Sequence, residues 1–173
     1  EWRFGWHPEK IKKKKSPKRF LVVGAGPSGL EAARVLGEQG NKVILAEATR
    51  NLGGRVIKES NLLGLAEWRR VSDWRITQIN KLSNIEIYRE SELVADDVTE
   101  LNVDFVMIAT GAKWAEDAIG RHSDTGFEIA DKNMIIGAER ILNGEKVDAE
   151  CIVIYDDDHY YIGSVMALEL AKR

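Results

Sequence analysis

The sequence predicts an α/β fold, a parallel sheet with flanking helices, present here as an incomplete portion of a larger architecture. Three observations predict it. Short apolar runs rich in β-branched residues alternate with longer stretches of helical periodicity. Most of those runs are apolar throughout and do not alternate, as expected of strands covered on both faces. Glycines stand at the joints between the two kinds of segment.

The elements follow in order. RFLVVG (19–24) reads as a buried strand ending in glycine, and PSGLEAARVLGEQG (27–40) as a helix with Pro27 near its first turn and Gly40 past its end. KVILAE (42–47) is a second buried strand. Residues 65–82 read as a helix of imperfect register. IEIY (85–88) is a short strand with alternating faces, and DFVMIATG (104–111) a further buried strand ending in a glycine turn. Residues 112–134 are mostly irregular. IGAERILNGE (136–145) is a short helix, and CIVIY (151–155) with YIGSVMALELAKR (161–173) closes the chain as strand and helix.

Composition narrows the class. The 173 residues are 44% hydrophobic and 31% charged, which is ordinary globular usage. No apolar run approaches the roughly 20 residues needed to span a bilayer, and no signal peptide opens the chain. A cytoplasmic, reducing location is the expectation, with no membrane partner. The single cysteine, Cys151, excludes an internal disulfide and does not by itself hold zinc or an iron–sulfur cluster. His7, His122 and His159 are far apart and show no ligand spacing, so no metal site is expected.

Charge is uneven. Arg3, Lys10, Lys12, Lys13, Lys14, Lys15, Lys18 and Arg19 against Glu1 and Glu9 put +6 on residues 1–19, and the overall −3 leaves about −9 on the rest. A basic arm on an acidic body raises nucleic acid or anionic lipid as partners. Nucleic-acid binding needs a basic face on the folded body as well, and nothing after residue 20 supplies one. A solvated linker is the preferred reading, and no nucleic-acid partner is expected. Trp2, Phe4 and Trp6 in the same arm are expected to pack on a neighbouring domain.

VVGAGPSGLEAARVLGEQGNKVILAE carries the most chemistry. Gly24, Gly26 and Gly29 form a G-x-G-x-x-G between strand and helix. The first glycine permits a tight turn, the second admits a pyrophosphate without a Cβ in the way, and the third lets helix and strand approach. The helix start offers free N–H groups and a partial positive charge to phosphate. Gly29, Ala33 and Gly37 make a small-residue stripe every four positions. Glu47 ends the next strand, where an acid accepts hydrogen bonds from ribose hydroxyls and repels a 2′-phosphate. A Rossmann fold of the FAD/NAD(P)-binding type follows, with an adenine nucleotide as ligand.

Two later segments point to FAD-type use. EATRNLGGRV places Gly53, Gly54 and Arg55 after the acid, which resembles the second fingerprint of FAD-binding flavoproteins. VDFVMIATGAKW resembles their Ala-Thr-Gly segment at Ala109, Thr110 and Gly111. CIVIYDDDHYYIGSVMALELA has the strand–turn–helix shape of a second nucleotide-binding start, but Asp156, Asp157, Asp158 and His159 occupy the loop and only Gly163 survives. Carboxylates there repel phosphate, so pyridine-nucleotide binding at this loop is expected to be lost. Consecutive aspartates rarely converge on one ion, and a solvated turn or helix cap is the preferred reading over a metal site.

The opening EWRFGWHPEK, the VGAGPSGLEAARVL turn, the GEQGNKVILAE strand, the ADDV segment and ATGAKW together resemble the trimethylamine and dimethylamine dehydrogenases. These belong to a flavin oxidoreductase family that also includes histamine dehydrogenase and 2,4-dienoyl-CoA reductase. The resemblance covers nearly the whole chain. It implies a larger parent, an enzyme whose N-terminal TIM barrel carries FMN and a 4Fe-4S cluster and oxidises a small amine. Electrons would leave to an electron-transfer flavoprotein, and the parent would be a homo-oligomer. Residues 1–19 would be a linker arm from that barrel, 20–150 the ADP- or FAD-binding Rossmann domain, and 151–173 the truncated start of a degenerate second nucleotide-binding domain. Carried over by motif, Gly24, Gly26, Pro27, Ser28 and Gly29 would face the pyrophosphate. Glu47 with Ala48 would lie at the ribose, and Gly53, Gly54, Arg55, Ala109, Thr110 and Gly111 would complete the pocket. No residue of this portion is expected to be catalytic. The competing expectations are a working FAD domain of an NAD(P)H-dependent enoate-type reductase, and a non-enzymatic binding module that uses the basic arm.

Overall fold

The computed structural model describes residues 10–122, 125–126 and 128–172. The aromatic positions Trp2, Phe4 and Trp6, and His7, lie outside the described residues. Two compact units are present. One comprises the described residues through Val56 together with Arg70–Gly111, and the other Ile57–Arg69 with the described part of Ala112–Arg173.

The first unit is a four-stranded sheet, β1 (Arg19–Val23), β2 (Lys42–Ala46), β3 (Ile85–Tyr88) and β4 (Phe105–Ile108), in the order β3-β2-β1-β4. All three pairings are parallel, with Val22 opposite Leu45 and Met107. This is the Rossmann-like arrangement the sequence predicts. Period-two alternation sends the strands' side chains to opposite faces. On one face Val22, Val43 and Leu45 pack with Leu30 and Ala33 of α1 (Pro27–Glu38) and with Ile79. On the other, Leu21, Ile44 and Ala46 meet Leu93, Val98, Leu101 and Val103. Both faces are covered, which is why β1 and β2 are continuously apolar.

β4 corrects one expectation. DFVMIATG reads as buried, yet Phe105, Val106, Met107 and Ile108 are all exposed, Ile108 at 79%. The physical reason is cover: none of Phe105–Ile108 joins a core cluster on either face of the sheet, whereas Ile85 and Ile87 of the other edge strand, β3, do. CIVIY is a second correction. Residues 151–155 form no strand, because no described strand pairs with them, and Val153 is 88% exposed. The helix expected over 65–82 divides into a 3-10 turn, Ala66–Trp68, and α3, Arg69–Ile79.

α1 ends where the sequence places its stop. The Gly40 N–H donates to the Gly37 carbonyl at 2.9 Å and the Asn41 N–H to the Leu36 carbonyl at 3.1 Å, a Schellman closure with Gly40 at φ +88°. Its small-residue stripe is buried against the sheet side. A Cβ on Gly37 would stand 2.6 Å from Ile85 Cδ1, so the stripe sets the helix–sheet distance. On the outer face Arg34 bonds Glu31 at 2.5 Å and Glu38 at 2.7 Å, and its guanidinium lies 5.2 Å from the Trp74 ring centre. The Arg34 hydrogen bond, opposed by partial burial and reinforced by the Arg34 and Arg75 charges, holds the Glu31 carboxyl below the usual carboxylate range. Two short helices complete the unit's connections, α2 (Arg55–Glu59), whose first two residues lie in it, and α4 (Ala95–Glu100).

The second unit contains α5 (Ala138–Leu142) and α6 (Tyr161–Leu170). Its core is Leu62, Leu65, Ile141, Ile162 and Met166, with Trp114 and Tyr161 packed against it. No helix among the described residues is long and apolar enough to cross a membrane.

Candidate nucleotide-binding site

The C-terminal ends of β1, β2 and β4 converge on the segment Gly24–Gly29, and each glycine there has a separate reason. Gly24 adopts φ +97°, and a Cβ on it would lie 2.8 Å from the Ala109 carbonyl carbon. A Cβ on Gly29 would overlap the Gly24 carbonyl oxygen and sit 3.3 Å from Ala109 Cβ. These two glycines are demanded by the fold. Gly26 is not. It caps α1 at φ −69° and ψ 179°, extended backbone open to any residue, and nothing lies within 4 Å of where its Cβ would be. Folding gives no reason for a glycine there, whereas a ligand brought against the main chain would.

The start of α1 is polar and uncapped. Gly26 supplies no side-chain acceptor, Pro27 opens the helix, and the first turn contains no acid. The first intrahelical bond runs from the Leu30 N–H to the Gly26 carbonyl at 2.9 Å, so the Ser28 and Gly29 N–H groups precede the helical ladder. Ser28 is exposed beside them. The aligned peptide dipoles add a partial positive charge at this end.

Glu47 follows β2 and is buried, at 9% exposure. Its Oε2 accepts from the Ala25 N–H at 2.8 Å, inside the glycine turn itself. Its Oε1 accepts from the Thr49 N–H at 2.9 Å and Oγ1 at 2.8 Å. The acid is therefore tied to the turn by a hydrogen bond, as well as by strand order. The chain after it is fixed from β3: the Glu47 N–H donates to the Tyr88 carbonyl at 2.8 Å, the Ser91 N–H to the Glu47 carbonyl at 2.9 Å and the Glu90 N–H to the Thr49 carbonyl at 3.2 Å. Ala48 is exposed.

The paired glycines close over the same turn. The Gly53 N–H donates to the Ala25 carbonyl at 2.8 Å, and a Cβ on Gly54 would stand 2.9 Å from Gly26 Cα. Both adopt positive φ, at +116° and +60°, where side chains are strained. Arg55 opens α2 and is exposed. Ala109 donates its N–H to the Val23 carbonyl at 2.8 Å, and Gly111 turns the chain at φ +81° after the exposed Thr110. Gly24, Gly26, Gly29, Glu47, Gly53, Gly54 and Ala109 are thus gathered around one turn. Sequence reading did not find Thr49 or the Ala25 N–H, because neither side-chain type nor spacing marks them.

In the second unit two carboxylates of the acidic loop accept backbone N–H groups. Asp156 Oδ1 accepts from the His159 N–H at 3.0 Å, and the Asp156 carboxyl stands against the Gly163 backbone in the first turn of α6. Asp157 accepts from the Arg121 N–H.

A parallel sheet whose central strands are covered on both faces, with a glycine turn leading into its first helix and an acid at the tip of the next strand, defines a nucleotide-binding Rossmann domain. Residues 6–141 match the family model described as pyridine nucleotide-disulphide oxidoreductase. The chain belongs to that family. It is 36% identical to dimethylamine dehydrogenase of Hyphomicrobium sp. (strain x) over 179 aligned residues, 99% of this chain and 24% of that protein. Among solved structures, histamine dehydrogenase from Rhizobium sp. 4-9 superposes with a TM-score of 0.89 at 45% identity, over 97% of this chain and 25% of that one. The 6-hydroxypseudooxynicotine amine oxidase from Pseudomonas geniculata N1 gives 0.90 at 40% identity, with the same coverage. The expected resemblance to amine dehydrogenases is borne out. The chain spans about a quarter of the length of these relatives.

Proposed function

We propose that this chain is the adenine-nucleotide-binding module of an amine-dehydrogenase-type flavoprotein oxidoreductase, holding ADP or the ADP half of FAD. The observation that carries the reading is Gly26, a glycine the protein's own packing does not require, at the mouth of an uncapped helix. The main-chain N–H groups of Gly26, Ser28 and Gly29 would bind the diphosphate, with Pro27 setting the helix entry. Glu47 would take ribose hydroxyls, with Ala48 beside it. Gly53, Gly54 and Arg55 would close the phosphate side, and Ala109, Thr110 and Gly111 the adenosine side. Bound as FAD, the cofactor supplies a flavin ring for two-electron chemistry, whereas ADP supplies none.

Amine oxidation belongs, in this reading, to parts of a longer protein that the quarter-length match leaves outside this chain. An FMN- and 4Fe-4S-carrying barrel would perform it and pass electrons to an electron-transfer flavoprotein. One cysteine in 173 residues does not supply the four thiolates of such a cluster, so its ligands would come from elsewhere. This portion alone would not turn over substrate. The second loop would not take NAD(P)H, since each carboxylate of Asp156–Asp158 about 5 Å from a phosphate charge opposes it by about 3 kcal/mol at an effective dielectric near 20.

The test is the nucleotide released on denaturing the purified protein. One equivalent of ADP from a colourless protein, or of FAD from a yellow one, supports the reading and decides between the two cofactors. A protein that neither carries nor takes up an adenine nucleotide overturns it.

A further inference from the structure

Glu47 presents a chemical problem for the proposed ribose site, on which this inference rests. A carboxylate has about four lone-pair positions, and the protein already fills three of them, through the Ala25 N–H, the Thr49 N–H and the Thr49 hydroxyl. Both positions on Oε1 are taken. An acid so occupied is well placed but poorly available. Thr49 resolves the difficulty. Its Oγ1 lies 2.8 Å from Glu47 Oε1 and 3.0 Å from the Asn51 carbonyl oxygen, and one hydroxyl proton serves only one of them at a time.

We propose that Thr49 is the positioning and specificity residue of the ribose site, a donor with two settings. In the free protein its proton holds Glu47 Oε1. When a ribose diol arrives, the proton turns to the Asn51 carbonyl and releases a lone pair on Oε1 for a sugar hydroxyl. The turn is a single torsion, and no protein donor is left without an acceptor. The Thr49 N–H and the Ala25 N–H keep the carboxylate in place throughout, so little ordering is needed on binding. The geometry therefore favours a ligand carrying both ribose hydroxyls over one lacking the 2′-hydroxyl.

The experiment is calorimetric titration of the full chain with ADP and with 2′-deoxy-ADP, for the wild type, Thr49→Val and Thr49→Ser. Thr49 is exposed, so valine meets no packed core, and thermal melts check that each variant is folded. The expected results are tighter ADP binding by Thr49→Val, by about three- to tenfold, because Oε1 no longer has to be released, with 2′-deoxy-ADP little changed and the preference for ADP therefore enlarged. Thr49→Ser, which keeps the hydroxyl, should match the wild type in both. A merely structural role would weaken both ligands equally and leave the preference unchanged. Wild-type preference in Thr49→Val overturns the inference while leaving the nucleotide site intact. A wild-type chain that binds no ADP overturns the nucleotide site and this inference together.

Discussion

Replacing Gly26 by alanine separates folding from binding more sharply than any other single change. The backbone there is at φ −69° and ψ 179°, and no atom lies within 4 Å of the added methyl. A Gly→Ala change at a position of compatible backbone stabilises by about 0.4–1 kcal/mol, because the unfolded chain loses freedom. For a chain of this size that is a rise in Tm of about 1–4 °C. Binding should move in the opposite direction. The methyl occupies the space a diphosphate must enter, and closest approach to the Ser28 and Gly29 N–H groups is lost. A drop in ADP affinity of at least about 100-fold, near 2.7 kcal/mol, is expected. Calorimetry and thermal melting on the same samples read both quantities. A Gly26→Ala variant that binds ADP as the wild type does would refute the assignment of the diphosphate site. One that melts far lower would show that Gly26 serves the fold after all.

Three further outcomes follow from neighbouring features. Gly29→Ala should behave in the opposite way to Gly26→Ala: its Cβ overlaps the Gly24 carbonyl, so backbone must shift, and urea denaturation should show a loss of at least about 2 kcal/mol. Glu47→Ala should weaken ADP by about 1–3 kcal/mol, and it should also lower stability, because the Ala25 N–H loses its buried acceptor. The Glu31 carboxyl is held below its ordinary range, chiefly by the Arg34 hydrogen bond. A depressed folded-state pKa gives stability that is present above the unfolded carboxylate value, about 4.3, and lost as pH falls through the folded one. Urea midpoints should therefore decline in acid, and Glu31→Gln should flatten that part of the decline. A slope unchanged in the variant would remove Glu31 from the account.

The glycine turn was legible because its constraints are local. Glycines at 24, 26 and 29, an apolar strand before them and a small-residue stripe after them leave few alternatives, and the turn joins β1 to α1. β1 and β2 were legible because sheet positions covered on both faces must be apolar. DFVMIATG carries the same composition, but none of Phe105–Ile108 joins a core cluster. A sequence run does not record what will cover its strand. CIVIY fails because strand pairing is a relation between segments. α2 and α4 escaped notice because five and six residues are too short for a helical period to register. Glu47 could be placed at a strand tip from spacing alone. Its tie to the Ala25 N–H and its two bonds from Thr49 could not, because they depend on how residues 47–51 bend back, and that bend is set by hydrogen bonds from residues 88–91.

The central claim is that main-chain N–H groups at the opening of α1 take a diphosphate while Glu47 takes the sugar. A crystal structure of the chain with ADP tests it most directly. The account predicts phosphate oxygens within about 3 Å of the Ser28 and Gly29 nitrogens, and a ribose hydroxyl on the Glu47 carboxylate. ADP bound elsewhere, or a ribose turned away from Glu47, would contradict it.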